Sequence, residues 1–167
     1  MGMQLIETVE LDSAASSIEF TSIPQDGVDL LLKVSGRSDR AATSESMTLA
    51  FNGSTSDFSF INLRGQGSSV NTGSGTGSVQ ILMQNGDTST ASTFGNAQVY
   101  VSNYASSSAK SFSSDGVNEG NIVGTFQSLQ ANLWNNTAAI TSVSVSPTFG
   151  TNWLQYSTAS LYKITAD

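Results

Sequence analysis

The stretch from Ser16 to Arg40, SSIEFTSIPQDGVDLLLKVSGRSDR, holds two extended runs joined at Pro24-Gln25-Asp26-Gly27 and closed by a charged loop. In the first run Ile18 and Phe20 share one face while Glu19 and Thr21 share the other, the period-two alternation of a half-buried strand. In the second, Leu30, Leu32 and Val34 fall on one face, which sets Leu31 and Lys33 on the other. A turn with Pro and Asp-Gly between two such runs reads as strand, turn, strand.

The same rhythm recurs outward in both directions. Met47, Leu49 and Phe51 oppose Thr48, Ala50 and Asn52; Val79, Ile81 and Met83 repeat the spacing, as do Val99 and Val101. These runs predict strands near 4–11, 16–22, 28–36, 46–52, 58–64, 78–84, 96–103, 122–131, 138–146 and 153–164. Turn chemistry separates them at Asn52-Gly53, Asn85-Gly86-Asp87, Asp115-Gly116 and Pro147 to Gly150. In the 122–131 run, Ile122, Val123, Phe126, Leu129 and Leu133 suit a helical period better than alternation, and a short helix is the competing assignment there. Arg64 to Ser78, RGQGSSVNTGSGTGS, is expected to be a mobile or splayed loop. Ser102 to Asn121 is expected to be an ordered long connection, anchored by Tyr104 and Phe112. About eight to ten strands at this spacing in one domain spanning residues 1–167 predict an all-β fold, an antiparallel two-sheet sandwich of the jelly-roll type.

Composition narrows the function classes. Charged residues make up 11% of the chain, the net charge is −7, and there is no Cys and no His. Without clustered Lys and Arg, binding to nucleic acid by phosphate neutralisation is disfavoured. The chain lacks the usual neutral-pH general base, nucleophile pairs and transition-metal ligands. Ser-x-x-Lys occurs at Ser107–Lys110 and Ser160–Lys163 without the companion motifs of a serine acylase. Paired carboxylates (Glu7 with Glu10, Asp26 with Asp29) read as solvated acids rather than a glycosidase pair. Gly73 to Gly77, GSGTG, lacks the Lys-Ser/Thr of a phosphate loop, and Asn85 with Asp87 falls short of a calcium cage. The expectation is no enzyme and no cofactor. No apolar run is long enough to span a membrane as a helix, and the first twelve residues lack the pattern of a secretory signal. Asn52-Gly-Ser54 and Asn135-Asn-Thr137 read as turn chemistry rather than glycan acceptors.

Of the rings able to stack on a sugar, Trp134, Tyr104, Trp153 and Tyr156, each has a core-filling alternative; Trp153 and Tyr156 lie on opposite faces of one run. Lys33, Arg37 and Arg40 are half of the chain's six cations. A local ion-pair network with Asp29, Asp39 and Glu45 is the plain explanation, worth about 1 kcal/mol at most per exposed pair. Because this loop follows a strand with Leu31 and Lys33 on its outer face, Leu31, Lys33, Arg37, Asp39 and Arg40, together with Arg64, are the candidate interface residues.

The segments LIETVELDSAASSIEFTSIPQDGVDLLLKVSGRSD, LAFNGSTSDFSFINLRGQGSS, TFGNAQVYVSNYASSSAKSFSSDGVNEGN and TAAITSVSVSPTFGTNWLQYSTASLYKI together resemble a family of small virion proteins of tailed bacteriophages, especially marine and cyanobacterial ones. The resemblance covers nearly the whole chain and lies in strand and turn patterns. It implies a jelly-roll module without enzyme activity or cofactor, made in the host bacterial cytoplasm and carried on the virion. The first expectation from it is a capsid decoration or cement protein, a homotrimer on the head surface bridging copies of the major capsid protein. The alternative is a tail-fibre or spike-tip module binding host surface glycan through 65–78 and 102–121, with Tyr104 as a stacking ring.

Overall fold

A computed structural model of the chain describes residues 2–120 and 125–166. Twelve strands occur among them, and no helix: β1 (Gly2–Glu10), β2 (Ile18–Phe20), β3 (Asp29–Gly36), β4 (Ser44–Phe51), β5 (Phe58–Gln66), β6 (Ser69–Gly77), β7 (Gln80–Asn85), β8 (Gly95–Val101), β9 (Lys110–Asn118), β10 (Phe126–Trp134), β11 (Val143–Pro147) and β12 (Thr158–Thr165). They form an eight-stranded antiparallel sheet, β1-β12-β3-β8-β9-β10-β5-β6, and a four-stranded one, β2-β11-β4-β7. The two pack face to face as an all-β sandwich of jelly-roll-like character.

The parity of the Leu30-Leu31-Leu32 run places its side chains as expected. Leu30, Leu32 and Val34 are buried between the sheets, while Leu31 is half-buried on the outer face with Tyr100 and Tyr162 as cross-strand partners. Ile18, Phe20, Met47, Leu49, Phe51, Val99, Val101, Val143, Val145 and Leu161 fill the same layer. At one end Phe51 of the smaller sheet meets Phe58, Phe112 and Trp134 of the larger, with ring centroids 5.4–5.6 Å apart. At the other end Trp153 is fully buried and donates its indole N–H to the Val145 carbonyl at 3.1 Å.

Three expectations are corrected, and the choice between strand and helix in the 122–131 run falls to strand. Residues 64–78 do not splay: they turn at Gly67-Ser68 and return as β6, paired with β5 over nine register positions. Gly67 adopts φ 55°, the first-position glycine of a two-residue hairpin. The long connection holds β9, anchored as expected by buried Tyr104 and Phe112, and Asp115-Gly116 lies inside that strand rather than at a turn. Residues 126–134 are a strand, not a helix, because Phe126 to Trp134 is clamped on both sides by β5 and β9; 122 and 123 lie outside the described residues. The strand expected at 153–164 begins at Thr158, since Trp153 makes isolated bridges to Ala15 and Ser38 and Leu154 to Ser157 form a turn.

The turn at Asn52-Gly53 has positive φ at both positions, 51° and 74°. The Asn52 side chain also links two segments. It donates to the Ala139 carbonyl and accepts from the amides of Thr141 and Ser142. That is turn chemistry, as the sequence predicts.

Candidate functional surface

The charged loop after β3 divides into three different environments. Arg37 is buried, and its guanidinium donates to the carbonyls of Asp87, Ser89, Thr90 and Thr93 at 2.8–3.1 Å. A planar fork of donors suits such a ring of acceptors, and here it fixes the 87–93 loop. Arg40 stays half-exposed, stacks over Phe149 with its carbon 4.3 Å from the ring centre, and lies 3.9 Å from Glu45. The exposed Asp39 carboxylate accepts from the amides of Thr151 and Asn152 and from the Asn152 side chain. Those bonds, the Asn152 amide first, hold its carboxyl below the usual range.

Of the expected ion-pair network, Arg40–Glu45 is the pair that forms. Asp29 is buried and accepts instead from the Tyr100 hydroxyl and the Asn103 amide. Lys33 is exposed on the outer face of the larger sheet, between Ser160 and Gln98 in register. Arg64 is half-buried, 5.2 Å from the Phe126 ring centre. The six candidates therefore do not gather into one patch: Leu31 and Lys33 share the outer face, Arg37 serves the interior, Asp39 and Arg40 brace the 149–152 turn, and Arg64 lies against Phe126.

The residues with apparent chemical motifs have structural partners. Lys110 is buried, and its ammonium donates to the carbonyls of Ser106, Ser108, Thr137 and Ala138. Burial pulls its pKa below the ordinary lysine value. Lys163 bonds both oxygens of Asp26 at 2.7 Å, and that bond lowers the Asp26 pKa. Among the described residues no group of three or more acidic side chains is placed to hold a metal ion.

A surface the sequence reading did not single out lies on the outer face of β5, β6, β9 and β10. Ile61, Leu63, Val70, Val117, Leu129 and Leu133 are exposed there, from 36% to 71%. Leu63 faces Leu129 directly across the β5–β10 ladder, and Ile61 faces Ala131. A shallow groove of about 340 Å³ runs between Leu63, Val70, Val117 and Leu129, with Asp115 as the charged side chain on its wall. On a chain of net charge −7 this is a broad, nearly uncharged apolar area, larger than the scattered single hydrophobes of an ordinary surface. The sequence signal was present but divided: alternation in 58–64 and in 126–134 put apolar side chains on both faces of each strand.

Tyr156 is the one ring of the four sugar-stacking candidates that reaches solvent, at 61% exposure; Trp134, Trp153 and Tyr104 are buried. Its backbone has φ 69°, a left-handed conformation rare for a bulky residue. It stands beside a groove of about 570 Å³ lined by Asp12, Ser92, Phe94, Leu154 and Gln155. No protein-family model, curated protein or solved structure matches the chain.

Proposed function

We propose that this chain is a structural subunit of a bacteriophage virion, a capsid decoration or cement protein that docks on the head and bridges neighbouring copies of the major capsid protein. The observation that carries the reading is the exposed apolar area on the outer face of β5, β6, β9 and β10. A flat sheet face of this kind suits docking over a broad contact rather than enclosing a small molecule. The rest of the molecule supplies rigidity: two sheets locked by an aromatic cluster at one end and Trp153 at the other, with loops pinned by Arg37 and Lys110. Binding to a shell only in the folded form stabilises that form further by mass action. Cryo-electron microscopy of intact particles tests this: the chain is expected as density on the head surface with β5 and β10 toward the shell. Density confined to the tail overturns it.

Tyr156 favours a second reading, a fibre or spike tip that binds host surface glycan. An exposed ring beside Asp12 and Gln155 offers a stacking platform with hydrogen-bonding groups at its edge. Residues 65–78 and 102–121 contain β6 and β9, and Tyr104 is buried, so the glycan site of this reading lies at the Tyr156 groove. Binding of the purified chain to host envelope polysaccharide, lost on Tyr156→Ala, is the outcome that supports it.

A further inference from the structure

We propose that two copies of this chain join edge to edge through β6, continuing the eight-stranded sheet across a two-fold axis at Gly73. β6 is the last strand of that sheet, and among the described residues β5 is the strand that pairs with it. The hairpin turn at Gly67-Ser68 makes Gln66 and Ser69 the first bonded pair. Alternation then assigns Asn71, Gly73, Gly75 and Gly77 to β5, and turns the amides and carbonyls of Val70, Thr72, Ser74 and Thr76 outward. A nine-residue edge of this kind presents roughly 30 Å of unpaired backbone.

The other sheet edges carry the devices that usually prevent such pairing, and β6 does not. β1 has a register break between Leu5 and Glu7 and bears Glu7 and Glu10. β2 is three residues long, and the pairing of β7 with β4 is broken between Glu45 and Ser46. The β5–β6 register is unbroken, β6 has no proline, and no charged residue occurs from Gly65 to Gly86. No residue of β6 is buried, so the strand extends beyond the smaller sheet and leaves room for a mate beside it.

A second copy is the occupant that charge selects. Two chains of net charge −7 repel over most of their surfaces, and this uncharged edge is where they can meet without placing like charges together. A two-fold register about Gly73 sets Val70 beside Thr76 and Thr72 beside Ser74 of the second copy, pairs that suit a sheet face. It also makes the apolar outer faces of both copies one continuous surface, since an axis normal to the sheet keeps like faces on the same side. On the inner face the same register sets Gly73 beside itself, Gly75 beside Asn71 and Gly77 beside Ser69, so every inner-face pair includes a glycine and crowding is low. This two-fold pairing replaces the trimer that the family resemblance implies.

Sedimentation of the full chain is expected to give twice its 17.4 kDa mass. Ser74→Pro, which removes an outward donor while leaving the β5 ladder intact, is expected to return it to monomer with an unchanged circular dichroism spectrum. The chain has no cysteine, so Gly73→Cys supplies an independent reading. Across the axis its two sulfurs fall within disulfide reach and a covalent dimer is expected on a denaturing non-reducing gel, whereas Glu7→Cys at the opposite edge forms no covalent dimer there. A monomeric or trimeric wild type, or no cross-link at position 73, overturns the proposal. So does a dimer that survives Ser74→Pro but dissolves on Leu129→Lys, which would place the contact on the sheet face.

Discussion

Arg37 and Arg40 are three residues apart and have opposite physical roles. The Arg37 guanidinium satisfies four carbonyls of a loop some fifty positions away, and removing it leaves those acceptors to find water inside a closed turn. Arg37→Ala is expected to lower the stability of the isolated chain by about 2–3 kcal/mol, and Arg37→Lys to recover little, because a single ammonium cannot reproduce the fork. Arg40→Ala removes a long surface pair and a ring contact and is expected to cost about 1 kcal/mol or less. Chemical denaturation of the three variants measures the split. Asp39 adds a pH dependence: its folded-state pKa lies below the ordinary aspartate value of 3.8, so its contribution is fully present above that value and is lost as pH falls through the lower folded one. The melting-temperature gap between wild type and Asp39→Asn is expected to close as pH drops below about 4. None of the Arg37 contacts was legible beforehand, because a backbone carbonyl leaves no mark in a sequence. The inward and outward parity of Leu30, Leu31 and Leu32 was legible, because a two-residue period needs only the side chains themselves.

The strands that sequence reading found, and those it missed, differ in what covers them. β3, β4 and β8 carry apolar side chains at alternate buried positions, and their pattern is the fold. β9 buries Lys110, Phe112, Ser114, Gly116 and Asn118, so one apolar residue marks a face that is otherwise polar or small. β6 buries nothing and is held by its hairpin with β5, leaving no hydrophobic alternation to detect. The apolar strands meet in the Phe51, Phe58, Phe112 and Trp134 cluster, which ties β4 to β5, β9 and β10 across the sandwich. Phe51→Ala empties the centre of that cluster and is expected to cost about 3–5 kcal/mol, measured by urea unfolding. Phe51→Leu keeps most of the volume and is expected to recover more than half of the loss.

At the scale of the whole molecule, the core and the proposed docking contact fall on opposite sides of the larger sheet. Its inner face carries the core, while the outer face of β5 and β10 exposes Leu63 and Leu129, paired with each other and with little to lose from a change of polarity. A charge placed there is therefore expected to leave the fold within about 0.5 kcal/mol of the original, the usual range for a surface substitution. The same charge in a desolvated contact would be buried without a partner, at a cost of several kcal/mol. Leu63→Lys combined with Leu129→Lys is expected to keep the melting temperature and abolish retention of the chain on purified particles in a co-sedimentation assay. Lys33→Glu, also on the outer face but nearer β12, marks how far the contact extends: reduced retention places β3 within it, and full retention confines it to the β5–β10 end. Retention of the double variant at the wild-type level would remove the apolar face from the docking surface, and with it the observation on which the capsid reading rests.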